Sequence, residues 1–164
     1  MIIDETLLHQ KGGITKCIKA KEIIFDEGDC PNFYYQIVKG KVKLNNYNAD
    51  GAEVIQNVLG AGQSFGESFL FNTYRYPMNA VALVDSEVIS LPKDRLYELI
   101  KEHSEIGFSM LNCLADRLYF KYFMVHNNSL KSPSEKVWML LNYLKSFSST
   151  KDPYSYEVYL TRQQ

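Results

Sequence analysis

The stretch Gly62-Gln63-Ser64-Phe65-Gly66-Glu67-Ser68-Phe69-Leu70 joins a glycine-bounded turn, a carboxylate and a short apolar run. A passage from strand through turn to helix of this kind points backbone N–H groups at one spot, which suits an anion. The acidic side chain beside it can accept from a ribose hydroxyl. Read alone, these residues form half of a nucleotide pocket.

Outward from it, residues 14 to 91 are short β-rich runs separated by turn residues. Gly12-Gly13, Asp29-Cys30-Pro31-Asn32, Asn45 to Gly51 and Gly60-Ala61-Gly62 punctuate them. Lys41-Val42-Lys43-Leu44 alternates polar and apolar side chains, as a half-buried strand does. The loop Asn46 to Gly51 closes a hairpin, since Asn, Asp and Gly tolerate the left-handed backbone of tight turns. The pattern predicts an antiparallel jelly roll, making the chain mainly β with added helices.

Several motifs in order then carry a family resemblance. Ile23-Ile24-Phe25-Asp26-Glu27-Gly28-Asp29 and the run Tyr34 to Leu44, with Gly28 and Gly40 at turns, resemble the first strands of a cyclic-nucleotide-binding β-roll. Ala80-Val81-Ala82-Leu83 and Val88 to Pro92 look like its closing strands, and Lys93 to Ile100 like the short helix that follows. From about Ile14 onward the chain resembles the Crp/Fnr family of bacterial transcription regulators. That resemblance implies three parts: a β-roll with flanking helices over 1–103, a dimerisation helix over 104–131, and the start of a winged helix-turn-helix over 132–164.

The resemblance also supplies a candidate effector site: Phe65, Gly66, Glu67, Ser68, Met78, Asn79, Arg117 and Lys121. In ligand-binding members an arginine and a small hydroxyl residue grip the cyclic phosphate, and here Met78 and Asn79 fall at those positions. A methionine supplies no bidentate, charge-assisted hydrogen bonds to phosphate, which argues against cAMP or cGMP as the effector. Arg75, three residues earlier, is the alternative cation. Two versions of the family reading remain open: a sensor for another small molecule, and a degenerate roll serving only as a dimerisation scaffold.

After His103 the period changes to that of a helix, with Ser104 as N-cap and Glu105 well placed in the first turn. Ile106, Met110, Cys113, Arg117, Phe120 and Met124 form one stripe, and Leu111, Leu114, Leu118, Tyr122 and Val125 another. A helix apolar on two faces must be covered on both. One face is expected on the roll and the other against a second copy, a homodimer interface assigned to Met110, Leu114, Arg117, Phe120, Lys121 and Met124. The alternative is a single buried helix in a monomer. Arg117 and Lys121 interrupt this helix, and the resemblance implies a role for them in the pocket, against the plainer expectation that both face solvent.

Ser132-Pro133-Ser134-Glu135 is a strong helix start, with an N-cap serine, proline at the first helical position and an acid in the first turn. That helix is expected to run to about Phe147, followed by a strand over Tyr156 to Leu160 and the opening of a helix-turn-helix at Leu160 to Gln164. A helix-turn-helix reads bases with its second helix. This reading therefore places DNA binding in residues beyond the chain and expects a longer parent protein.

Composition narrows the classes. At 164 residues with 46% hydrophobic side chains, the chain can bury a sizeable core. A net charge of −1 lacks the basic excess of a stand-alone nucleic-acid-binding domain. The N-terminus does not read as a signal peptide, and no run approaches the roughly 20 apolar residues of a membrane span, so a cytoplasmic protein is expected. Cys17, Cys30 and Cys113 are scattered, as reduced thiols are; a redox role for Cys17 or Cys30 is the alternative. His9, His103 and His126 lie outside the predicted strands, so the clustered ligands of a cupin-type metalloenzyme are missing. No Ser-His-Asp context or Walker-type loop is found, and no enzyme and no metal are expected.

Overall fold

The computed structural model describes residues 3–128, 132–135 and 137–138. Two compact units divide between Asn112 and Cys113. The first begins with helix α1 (Glu5–Gln10), capped by the Asp4 side chain, which accepts from the Leu7 N–H. Eight strands follow: β1 (Ile14–Ile18), β2 (Ile23–Phe25), β3 (Phe33–Lys39), β4 (Lys41–Tyr47), β5 (Glu53–Gly60), β6 (Ser64–Phe65), β7 (Asn79–Ala82) and β8 (Ser86–Pro92). They form two four-stranded sheets of order β1-β8-β3-β6 and β2-β7-β4-β5, with all pairs antiparallel. The expected jelly roll is what the sequence makes.

Turns fall where the residues allow them. Gly28 and Gly40 have φ of 91° and 97°. At Gly40 a Cβ would lie 2.2 Å from the Ser86 hydroxyl oxygen, so that turn needs glycine for space as well as for backbone. The β4–β5 hairpin is closed by Asn48, whose side-chain oxygen accepts from the N–H groups of Asp50 and Ala52, and by Gly51 at φ 78°.

Strand β3 divides the interior. Successive side chains of a strand point to opposite faces, so Tyr35 and Ile37 enter one cluster while Tyr34 and Val38 enter the other. Strand β8 does the same, with Val88 on one side and Ile89 and Leu91 on the other. The first cluster fills the roll and is rich in rings. The second joins the outside of the roll to the helices through Leu8, Leu96, Leu99, Ile106 and Met110 and is mostly aliphatic.

Helix α2 (Lys93–Glu102) extends two residues past its expected end. Helix α3 runs from Ser104 to Asn128. Ser104 is its first helical residue and not its N-cap, because the His103 carbonyl already accepts from the Ile106 N–H at 3.0 Å. Ile106 and Met110 are buried, and Cys113, Leu114, Arg117, Phe120 and Met124 are half-buried, a spacing of three and four that follows one helix face. Met110, assigned by its stripe to a dimer face, is 2% exposed and packs in the aliphatic cluster, so that assignment is corrected. Leu114 sides with the half-buried row, while Lys121 is exposed. Phe108, Leu111, Leu118, Tyr119, Tyr122 and Val125 are the large apolar residues that α3 leaves exposed.

Residues 133–135 and 137–138 are helical, as the Ser132-Pro133 start predicts. The continuation to Phe147, the strand at 156–160 and the helix-turn-helix opening lie outside the described residues.

Candidate functional site

The quoted stretch forms a tight corner. Phe65 closes β6 opposite Tyr35 of β3, Gly66 turns the chain at φ 74°, and Glu67–Phe69 make one 3-10 turn. The N–H groups of Phe69 and Leu70 bond back to the carbonyls of Gly66 and Glu67. Two of the donors expected to face an anion are thus used within the turn. Phe65 and Glu67 are buried, whereas Ser68 is exposed.

The space beside this corner holds protein. The Tyr76 ring lies on Phe25 with centroids 3.7 Å apart and planes 11° from parallel, and Phe69 meets it edge-on. Tyr35 stacks on Phe65 at 5.2 Å. A Cβ on Gly66 would come within 3.2–3.3 Å of Tyr76 and Phe25, so the glycine is what lets these rings approach the turn. Tyr76 is 3% exposed, and its hydroxyl finds no hydrogen-bond partner among the described residues. Leaving a buried hydroxyl unpaired costs about 1–3 kcal/mol. Burial, with Tyr35 and the Glu67 carboxylate adding to it, pushes the Tyr76 hydroxyl well above the ordinary tyrosine range, so it stays neutral at physiological pH. Tyr35 is raised too, chiefly by burial and then by Asp29.

Met78 packs half-buried against this aromatic cluster. Asn79 works as a clamp: its side-chain oxygen accepts from the Glu27 N–H at 2.8 Å and its amide donates to the Asn45 carbonyl at 3.2 Å. Arg75 is exposed and donates to the Gly28 carbonyl at 2.8 Å. The two positions aligned with phosphate-gripping side chains therefore carry core packing and a strand clamp. Phe65, Gly66, Glu67 and Met78 come together in the roll; Arg117 and Lys121 belong to the second compact unit. Sequence reasoning missed Tyr76 and Phe25. The available signal was an aromatic residue, Tyr76, two positions before the Met78 that stands at the phosphate-gripping position.

Open space lies elsewhere. A cavity of about 150 Å³ at the β1–β2 mouth of the roll is lined by Lys16, Ile18, Glu22, Ile24, Tyr35 and Ser90 among others. That is below the 300 Å³ or so at which ligand pockets usually begin. A groove of about 640 Å³ crosses the outside of the second sheet past Ile23, Lys43, Tyr47 and Val81, and of the candidate effector residues Asn79 lines it. Among the described residues no group of three or more His, Cys, Asp or Glu side chains is placed to hold a metal ion. No described helix is long and apolar enough to cross a membrane.

Known proteins match this geometry. The profile of the cyclic nucleotide-binding domain matches residues 15–103. The chain is 30% identical over 95 residues to the CRP-like cAMP-activated global transcriptional regulator of Mycobacterium tuberculosis, covering 58% of this chain and 42% of that protein. It is 26% identical over 147 residues to the cAMP-activated global transcriptional regulator CRP of Haemophilus influenzae, covering 88% of this chain and 66% of that one. The chain thus spans less than two thirds of the length of these relatives, which are transcription regulators and not enzymes. The solved c-di-GMP responsive global regulator CLP of Xanthomonas campestris shares the fold at a TM-score of 0.70 and 16% identity, covering 92% of this chain and 75% of that one. The chain belongs to the cyclic nucleotide-binding domain family, in the form found in Crp/Fnr regulators.

Proposed function

We propose that this chain is the sensor and dimerisation portion of a CRP-like transcription regulator whose roll is closed to cyclic nucleotides. One observation carries the reading: the Tyr76 ring, stacked on Phe25 and flanked by Met78, occupies the space beside Gly66-Glu67. At the position aligned with the phosphate-gripping arginine, Met78 packs against that cluster and offers no charged donor to a phosphate. The exposed apolar row of α3 supports pairing with a second copy through this helix, in which Leu118, Tyr122 and Val125 would lose their water. An effector that prefers one dimer geometry would then reposition DNA-binding elements attached after α3.

The filled roll also fits a pure scaffold. The unpartnered Tyr76 hydroxyl speaks against that version, because a permanent core gains nothing from burying it.

Isothermal titration of the chain with cAMP and cGMP tests the reading, with no saturable heat expected at millimolar ligand. Saturable binding lost in Glu67→Ala would overturn it. Sedimentation velocity tests the pairing: a dimer is expected, converted to monomer by Leu118→Glu with Tyr122→Glu, and a monomeric parent chain would remove that part of the proposal.

A further inference from the structure

Tyr76 is held in two different ways. Its backbone is fixed, the N–H donating to the Asp29 carbonyl at 3.0 Å and the carbonyl accepting from the Gly28 N–H at 2.8 Å. Its side chain packs against the Phe25 and Phe69 rings, and among the described residues its hydroxyl has no hydrogen-bond partner. Rotation about the Cα–Cβ bond can therefore release the ring while the loop backbone stays in place, and the released hydroxyl gains water. A closed state with that internal penalty is one that a modest differential affinity can shift.

What the ring would leave behind has a definite chemistry. Phe25 offers a flat face, Phe65 and Phe69 close the sides, Met78 adds an adaptable wall, and the Glu67 carboxylate lies near the hydroxyl end. Such a space takes a flat ring and, with a carboxylate close by, disfavours an anion. The small cavity at the β1–β2 mouth borders the same cluster through Tyr35, adding room on its far side.

Resting on the reading that the roll is a sensor closed to cyclic nucleotides, we propose that Tyr76 is a built-in occupant of a latent pocket, and that the pocket's ligand is a small uncharged aromatic molecule. Its phenol ring is displaced by a free molecule of the same chemistry. Closed, the roll is self-filled; open, it carries the ligand on Phe25.

The test is calorimetric titration of the full chain and of Tyr76→Ala with p-cresol, with 4-hydroxybenzoate as the anionic control and cAMP alongside. The expected result is weak saturable binding of p-cresol to the parent chain, at least tenfold tighter binding to Tyr76→Ala, and no binding of 4-hydroxybenzoate. Equal affinity of the two proteins for p-cresol, or no saturation with Tyr76→Ala, overturns the proposal. Should Tyr76→Ala fail to fold, Tyr76→Phe decides. It keeps the plug and removes the orphan hydroxyl, so the affinity for p-cresol is expected to fall severalfold, and an unchanged affinity overturns the proposal. Binding of cAMP would overturn the closed-roll reading instead, which keeps the two failures apart.

Discussion

Tyr34 and Tyr76 are both buried tyrosines of one domain, and they are treated oppositely. In the aliphatic cluster, the Tyr34 hydroxyl donates to Gln36 Oε1 at 2.8 Å, and the Gln36 amide in turn donates to the Ile3 carbonyl at 2.8 Å. The Ile3 N–H returns to Gln36 Oε1 at 3.3 Å. In the aromatic cluster the Tyr76 hydroxyl has no such arrangement among the described residues. Buried polar groups are normally paired, and an exception needs a reason. The aliphatic cluster is built to stay shut, and it ties the chain's start to the roll and helices. The aromatic cluster is held by stacking that a competing ring can replace.

The largest test of this contrast is Gln36→Leu. It removes the Gln36 acceptor of the Tyr34 hydroxyl and the Gln36 partners of the Ile3 N–H and carbonyl, and should cost about 3 kcal/mol or more by chemical denaturation. A loss near zero would mean that the polar clip is not what closes this end. Next comes the paired removal of hydroxyls. Tyr34→Phe should destabilise by about 1 kcal/mol, the net worth of an ordinary hydrogen bond, while Tyr76→Phe should be neutral or stabilising by about 1 kcal/mol. Equal losses at both positions would erase the contrast.

Alkali should separate the clusters in a further way. Burial raises the Tyr76 hydroxyl above its unfolded value, so the stability it contributes is whole below about pH 10 and is lost as pH climbs from there towards the folded value. Tyr76→Phe should flatten part of the alkaline limb of a stability–pH profile. An unchanged limb would show that the ring is already wet.

These differences bear on what sequence can reveal. The roll was legible because its signals are local: glycine at turns such as Gly28 and Gly40, and alternation along β3 and β8 that sends neighbouring side chains to separate clusters. The unsuitability of Met78 for phosphate was legible too, from side-chain chemistry alone. What filled the space instead was not, since the Tyr76–Phe25 stack joins β2 to a loop 51 residues later, and nothing local in either segment announces the other. The side of α3 to which Met110 turns was misread for a related reason. A helix apolar on two faces carries no mark of which face meets its own domain, and burial settles that Ile106 and Met110 turn inward.

The smallest effect is expected outside both clusters, at the corner where Asp85 meets the β1–β2 turn. Its carboxylate accepts from the Ala20 N–H at 2.9 Å and from the Lys19 ammonium at 3.0 Å, and both side chains stand in solvent. The Ala20 N–H first, and Lys19 after it, hold the Asp85 carboxyl below the ordinary carboxylate range, and Asp85 raises Lys19 in return. For the carboxyl, stability is present above its unfolded value and is lost as pH falls through the folded one. For the ammonium it is present below its unfolded value and is lost as pH rises through the folded one. Water and salt screen an exposed pair of this kind, so Asp85→Asn should shift the acid limb only slightly, and less at high ionic strength. A shift as large as that of Gln36→Leu would mean that this turn holds the roll more firmly than its buried polar clip does.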